Sequence, residues 1–119
     1  MAVSARHAAL TYQRAVNTKD LGLLRTIFAD DAVLVVPIAL TPADPTGTFR
    51  GVDAVMGFFA RVSFPEQAVL TYAHVYEDGG TCVVELEGRL PDRTVEAVDI
   101  FTVGGDGLVT RLAVYARVV

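Results

Sequence analysis

Residues 94–117, with the sequence TVEAVDIFTVGGDGLVTRLAVYAR, predict two long β-strands folded back on each other. Both ends of this stretch are rich in β-branched and apolar residues, and the Gly-Gly-Asp-Gly segment at positions 104–107 has the composition of a hairpin turn. We therefore expect strands at residues 95–103 and 108–118.

Asp99 lies in the middle of the first of these strands. Because side chains alternate between the two faces of a strand, the face of Asp99 is otherwise formed by apolar residues, namely Val95, Ala97, Phe101 and Val103. Such surroundings disfavour a charged carboxylate. The carboxyl group must therefore be paired, hydrogen-bonded or kept protonated by a raised pKa.

The composition predicts one domain over residues 1–119. This length is close to the commonest domain size and is short for two independent cores. Hydrophobic residues make up 52% of the chain and charged residues 20%. That is enough for a buried core, and we expect part of the remaining apolar surface to line a cavity or a subunit interface.

Charge and cysteine content exclude several classes of function. The net charge is −4 and the ten basic residues are scattered, so the chain lacks the basic patch that nucleic acids require. Cys82 is the single cysteine, which excludes an intramolecular disulfide, and with two histidines there is no Cys/His metal pattern. The sequence also has no glycine-rich phosphate loop after a strand, so we expect no cofactor.

The chain has no apolar run near the ~20 residues that span a bilayer, and its first residues lack the layout of a secretory signal. We expect a cytoplasmic protein that does not bind membranes.

Three helices are predicted in the first half of the chain. Ser4 is a suitable N-cap for a helix that reaches about Val16, and Asp20 for a short helix over residues 21–28. A third helix is expected from Gly51 to about Val62, with Asp53 in its first turn.

The remaining segments predict strands at residues 32–38, 68–76 and 81–89, in addition to the hairpin. Residues 41–51, rich in proline and glycine, predict a loop that covers a pocket, with a short extended piece at 48–50. Helices followed by an antiparallel meander predict an α+β fold. In this fold three helices pack on a strongly curved, mostly antiparallel sheet and enclose a conical pocket.

Three motifs resemble the SnoaL-like and ketosteroid-isomerase-like branch of the NTF2-like superfamily. They are Asn17-x-x-Asp-Leu-x-x-Leu-x-x-x-Phe-Ala-Asp-Asp-Ala-Val-x-x-x-Pro37, Gly51-x-Asp-Ala-Val-x-x-Phe-Phe59, and Val98-Asp99 followed by a glycine turn and Leu112-x-x-Tyr115. The resemblance covers essentially the whole chain and implies the NTF2-like cone. The fold hosts isomerases, cyclases, dehydratases, epoxide hydrolases and proteins without chemistry.

The resemblance also implies an oxyanion hole. In ketosteroid isomerases a tyrosine of the first helix and a protonated aspartic acid of the penultimate strand bind the enolate oxygen. Tyr12 and Asp99 match these two positions. Two O–H donors fixed in a dry pocket stabilise the charge that gathers on an enolate oxygen.

The family's proton-shuttling aspartate does not have a counterpart here. It directly precedes the proline that ends the first strand, and this chain has Val36 before Pro37. The tyrosines that support the oxyanion tyrosine in some relatives correspond to Phe28 and Phe59. General-base catalysis typically contributes ~10²- to 10⁴-fold in rate, so we expect weak activity unless another base replaces it.

His74 is the first candidate for that base, because imidazole titrates near neutral pH and the residue lies on a predicted strand. Either face of that strand could be turned inward, so His74 could also be a sheet histidine outside the pocket. Asp44 in the loop is the second candidate, and water is a third. Glu85 and Glu87 alternate with apolar residues and are expected to face solvent.

Tyr12 and Asp99 also have structural interpretations. Tyr12 could be a core aromatic with its hydroxyl at the edge, and Asp99 could pair with Arg111 or accept backbone N–H groups. If both face a pocket, its apolar walls are expected to be Leu34, Val36, Phe59, Val84, Leu86, Phe101, Leu112, Val114 and Ala116.

Two hypotheses of different classes follow. The first is an isomerase-like enzyme acting on a hydrophobic carbonyl compound, steroid- or polyketide-like, without metal or cofactor. The second is a protein that binds such a small molecule and does no chemistry. In both cases Val98, Ile100 and Tyr115 are expected on the sheet face away from the pocket, where a homodimer would cover them.

Overall fold

The structure is a computed structural model that describes residues 4–37 and 47–119. Helix α1 spans Ala5–Thr18, and the side chain of Ser4 accepts a hydrogen bond from the His7 N–H. Helix α2 spans Leu21–Arg25, and the carboxylate of Asp20 accepts from the Leu23 N–H. Both N-caps are as predicted.

Helix α2 is shorter than predicted, and the strand after it begins earlier. Strand β1 spans Phe28–Val35, so the expectations of helix up to Phe28 and of strand from Ala32 were wrong. Phe28 is buried and pairs with Val109, whose N–H donates to the Ile27 carbonyl at 2.7 Å. This long-range pairing outweighs the local helical pattern. Ile38, the predicted end of the strand, lies outside the described residues.

Helix α3 spans Val52–Phe58. A π-helical turn over Phe59–Ser63 and a 3-10 turn over Phe64–Glu66 continue it. The predicted helix therefore exists but changes its hydrogen-bonding pattern near its end. No helix within the described ranges has the length and apolar character needed to cross a membrane.

Five further strands follow β1 in the described part of the chain: β2 (Thr48–Arg50), β3 (Val69–Asp78), β4 (Thr81–Arg89), β5 (Thr94–Val103) and β6 (Val109–Val118). Together with β1 they form one sheet in the order β2-β1-β6-β5-β4-β3. Neighbouring strands are antiparallel except β1 and β6, which are parallel, so the mostly antiparallel sheet is confirmed.

The strand register places Asp99 at the centre of the sheet. Asp99 lies opposite Val84 of β4 and Val114 of β6. Directly opposed residues of neighbouring strands point to the same face of a sheet. The side chain of Asp99 therefore lies between two valine side chains. Val98, on the other face, lies opposite Glu85 and Tyr115. We call that side of the sheet the outer face.

Helix α1 packs across β3, β4 and β5 on the inner face, and α3 packs against β1 and β2. The end of α1 is fixed to the edge strand β3 by the side chain of Asn17. Its amide nitrogen donates to the Leu70 carbonyl at 3.0 Å, and its amide oxygen accepts from the Leu70 N–H at 2.7 Å. These bonds satisfy backbone groups that an edge strand would otherwise expose.

Candidate functional site

A cavity lies between helix α1, the segment from α3 to Glu66 and the inner face of the sheet. Its volume is about 110 Å³, which is small beside the roughly 300–1,000 Å³ of typical ligand pockets. Most of the lining is apolar. The side chains with polar groups that line it are Tyr12, Ser63, Glu66, Arg93 and Asp99.

Six of the nine residues expected in the walls line the cavity: Leu34, Val36, Phe59, Leu86, Val114 and Ala116. Val84, Phe101 and Leu112 do not, and placing them in the wall was wrong. All three have 0% exposure and belong to the core beneath the cavity. The Phe101 ring lies edge-on to the Tyr12 ring, with centroids 5.3 Å apart, so the tyrosine rather than Phe101 reaches the cavity.

Asp99 is 2% exposed, and its Oδ1 atom has no hydrogen-bond partner among the described residues. Burial raises the pKa of this carboxyl to about 7. The alternative interpretation as an ion pair finds no support, because Arg111 is exposed and no ion pair within the described parts of the chain includes Asp99. Below about pH 7 the group is mainly a neutral acid that can donate its proton.

Tyr12 lines the same cavity and is 6% exposed. Its ring also makes an edge-to-face contact with Phe59, at a centroid distance of 5.8 Å. Burial, and secondly the charge of Asp99, raise the pKa of Tyr12 well above its usual value. The phenol therefore stays neutral, and both candidate oxyanion donors line the same cavity.

Tyr72 is a second tyrosine beside Tyr12 and Asp99, and its role was not predicted from the sequence. Burial, and then the charges of Asp99 and Tyr12, raise the pKa of Tyr72. Its hydroxyl donates to the Ala9 carbonyl at 2.7 Å. Because Ala9 is one helical turn before Tyr12, this bond helps to hold the tyrosine side of the site in place.

His74 does not line the cavity, so its selection as a candidate base was wrong. The pairing between β3 and β4 shifts between Tyr72, which lies opposite Leu86, and His74, which lies opposite Glu85. This bulge takes up one residue and turns His74 to the outer face. There it is exposed and stacks with Tyr76, at a centroid distance of 6.0 Å.

The structure leaves one of the other acidic residues considered in the sequence analysis undescribed and places two on the surface. Asp44 lies outside the described residues. Glu85 and Glu87 are exposed, as predicted. Val36, where the resemblance implies that the base would lie, lines the cavity and is 5% exposed. Residues 4–37 and 47–119 contain no group of three or more His, Cys, Asp or Glu side chains that could hold a metal ion.

Two charged cavity residues were missed by the sequence analysis. Glu66 and Arg93 form an ion pair, with 2.9 Å between Oε2 and Nη2. They lie in two turns that are 27 residues apart, and neither turn shows a pattern that points to the other.

Val95 and Ala97 also line the cavity, and their position on the face of Asp99 could have indicated this.

The SnoaL-like domain family matches residues 9–112. The chain belongs to this family. No curated protein sequence matches it. Among solved structures, a computationally designed 17-OHP binder has a TM-score of 0.81 at 20% identity, over 97% of this chain and 92% of the other.

Two natural proteins are similar in structure to this SnoaL-like chain. A SnoaL-like protein from Burkholderia thailandensis has a TM-score of 0.79 at 18% identity, over 95% of this chain and 93% of the other. The epoxide hydrolase/cyclase-like enzyme SalBIII, from pyran ring formation in the polyether salinomycin, has a TM-score of 0.76 at 20% identity, over 95% and 90%. At these identities the similarities show a shared NTF2-like fold.

The raised pKa of Asp99 predicts a stability that depends on pH. Below about pH 4 the carboxyl is protonated in both the folded and the unfolded chain. Between about pH 4 and 7 the unfolded chain loses this proton while the folded chain keeps it, so the free energy of unfolding falls as pH rises and levels off above pH 7. The rise of the pKa from 3.8 to about 7 corresponds to a loss of about 4 kcal/mol in the free energy of unfolding.

Asp99→Asn removes this titration. We expect the stability of the variant relative to the native chain to increase by about 4 kcal/mol between pH 4 and pH 8, measured by urea unfolding at each pH. A difference that stays constant over this range would show that Asp99 does not retain its proton in the folded chain.

Proposed function

We propose that the cavity binds a hydrophobic ketone or phenol whose oxygen accepts hydrogen bonds from Asp99 and Tyr12. The observation that carries this proposal is the buried Asp99 carboxyl, which has an Oδ1 atom without a partner. A buried polar group without a partner costs free energy, and a ligand oxygen in the cavity supplies the missing partner. The apolar lining then receives the rest of the ligand.

The protonation states select an uncharged or electron-rich oxygen on the ligand. A neutral carboxyl and a neutral phenol are both donors, and both are held by packing before the ligand arrives. Such a pair binds a carbonyl oxygen and stabilises it further when it becomes an enolate. Ionised Asp99 would repel the same oxygen, so binding of a neutral ketone weakens above pH 7.

The reaction class that suits this pair is enolisation, followed by isomerisation or a cyclase-type step. It requires a base that removes a carbon-bound proton, and Val36 is aliphatic at the position where the family's base is expected. This observation favours the second candidate function, a protein that binds the small molecule without turnover. The 17-OHP binder and SalBIII indicate that the shared fold suits either role.

We also propose that two copies associate through the outer face. Tyr115 is 56% exposed there, beside the half-buried Val98 and Ile100. A shallow groove on this face is lined by Val98 and Tyr115 and by the charged side chains of Glu85, Glu87, Glu96 and Arg117. A second copy that covers the face removes this apolar surface from water.

Binding of 2-naphthol tests the proposed oxygen site. We expect binding that naphthalene does not match, and a loss of about 3- to 10-fold in affinity for Tyr12→Phe, because one neutral hydrogen bond is removed. Asp99→Leu should cost at least as much. The control is Tyr76→Phe, which removes the hydroxyl of an exposed tyrosine on β3. Fluorescence titration at pH 6 measures each affinity, and unchanged binding by both site variants would contradict the proposal.

Val36→Asp tests whether only the base is missing. A β,γ-unsaturated ketone, either 5-androstene-3,17-dione or the smaller 3-cyclohexen-1-one, becomes conjugated when a proton is moved from one carbon to another. We expect Val36→Asp to increase kcat/KM by about 10²-fold or more, as measured by the absorbance of the conjugated product. Val36→Asn has a similar shape and moves no proton, so equal activities of the two variants would exclude this interpretation.

Sedimentation equilibrium tests the proposed dimer. We expect twice the chain mass of 12.7 kDa at high micromolar concentration. Val98→Asp, which puts a charge opposite Glu85 in the outer face, should reduce the mass to that of one chain. Leu10→Asp is the control, because Leu10 is 43% exposed on helix α1, which packs on the inner face of the sheet. A native chain that sediments as a monomer would refute the dimer.

A further inference from the structure

The cavity extends along β5 from Asp99 to the beginning of the strand. Asp99, Ala97 and Val95 line it in succession, and Arg93 lines it just before the strand begins. At about 3.3 Å per residue, the Cα atoms of Asp99 and Arg93 are at most about 20 Å apart. The side chains shorten this gap from both ends, so a slender molecule of two rings can approach both.

The far end of the cavity holds the ion pair between Glu66 and Arg93. Both side chains are about two-thirds buried, with exposures of 31% and 34%. The backbone of Arg93 is fixed as well, because its carbonyl accepts from the Leu90 N–H at 2.8 Å. The pair therefore joins the 3-10 turn after α3 to the turn between β4 and β5.

The hydrogen bonds of this pair leave one acceptor atom available. Nη2 of Arg93 bonds to Oε2 of Glu66, and Nη1 bonds to Asp92 Oδ1 at 2.9 Å. Two carboxylates thus share one guanidinium, which gives the group a net charge of −1. No described residue donates a hydrogen bond to the second oxygen of Glu66, Oε1.

We propose that Glu66 is a second binding residue, which accepts a hydrogen bond from a hydroxyl group at the far end of the ligand. This inference rests on the proposed function, since it assumes that the other end of the ligand lies against Asp99. A carboxylate with a free oxygen attracts a donor, whereas its net negative surroundings disfavour an anion. Arg93 is already bonded to two carboxylates, so Glu66 rather than Arg93 offers a group to the ligand.

The two ends of the cavity have opposite hydrogen-bonding groups, and this difference defines the ligand class. Asp99 and Tyr12 donate, so they require an acceptor oxygen, and Glu66 accepts, so it requires a donor. The wall between them is apolar and includes Leu86, Leu90 and Val95. The cavity therefore selects a slender hydrophobic molecule with a ketone or phenol oxygen at one end and a hydroxyl at the other.

Three biphenyls of equal width test this inference. They are 4-phenylphenol, which has one hydroxyl, 4,4′-dihydroxybiphenyl, and 4′-hydroxybiphenyl-4-carboxylic acid. We expect the dihydroxy compound to bind about 10-fold more tightly than 4-phenylphenol, clearly beyond the factor of two that its symmetry gives. The carboxylic acid should bind more weakly than 4-phenylphenol.

Two variants separate an acceptor role for Glu66 from a structural role of the ion pair. Glu66→Leu should reduce the preference for the dihydroxy compound to the factor of two. Arg93→Gln breaks the same ion pair but leaves the carboxylate, so it should keep the preference. Glu87→Leu, on the exposed side of β4, is the control and should behave like the native chain.

The outcomes distinguish the two proposals. If 4-phenylphenol binds and the second hydroxyl adds only a factor of two, the role of Glu66 is refuted while the proposed function stands. Equal loss of preference in Glu66→Leu and Arg93→Gln would refute it as well, because the pair would then act only on the shape of the cavity. If none of the three compounds binds, the proposed function and this inference both fail.

Discussion

An unpaired acid in the middle of an apolar sheet face is the constraint on which the site depends. Asp99 is flanked across the sheet by Val84 and Val114, and no described residue bonds to its Oδ1 atom. In this environment the carboxyl keeps its proton to about pH 7. Above about pH 4 the same group is ionised in the unfolded chain, and this difference lowers the free energy of unfolding. The same proton makes the group a donor toward the cavity, so the feature that weakens the fold also creates the binding site.

The rest of the fold positions a second donor beside this acid. Helix α1 is held on the sheet at two points, by Asn17 on the backbone of Leu70 and by Tyr72 on the carbonyl of Ala9. Tyr12 lies between these attachments and packs edge-on against two phenylalanines. A rigid neutral phenol and a rigid neutral acid reorganise little when a ligand oxygen arrives, which is the condition for strong stabilisation of an enolate.

Local patterns predicted much of this architecture, and long-range contacts explain where they failed. The N-caps, the glycine hairpin and the alternation around Asp99 are properties of neighbouring residues, and they agree with the structure. The bulge that turns His74 outward depends on pairing with Glu85. The Glu66–Arg93 pair joins two turns that only the folded chain brings together, so no spacing in the sequence indicated it.

The protonation of Asp99 is the central claim, and NMR measures it directly. With the aspartate carboxyl carbons labelled with ¹³C, and Asp99→Asn used to assign the signal, the chemical shift of Asp99 can be followed from pH 3 to pH 9 in the chain without ligand. The account predicts a midpoint close to 7. A midpoint near the ordinary aspartate value of about 4 would show a solvated or paired carboxylate and would contradict the account.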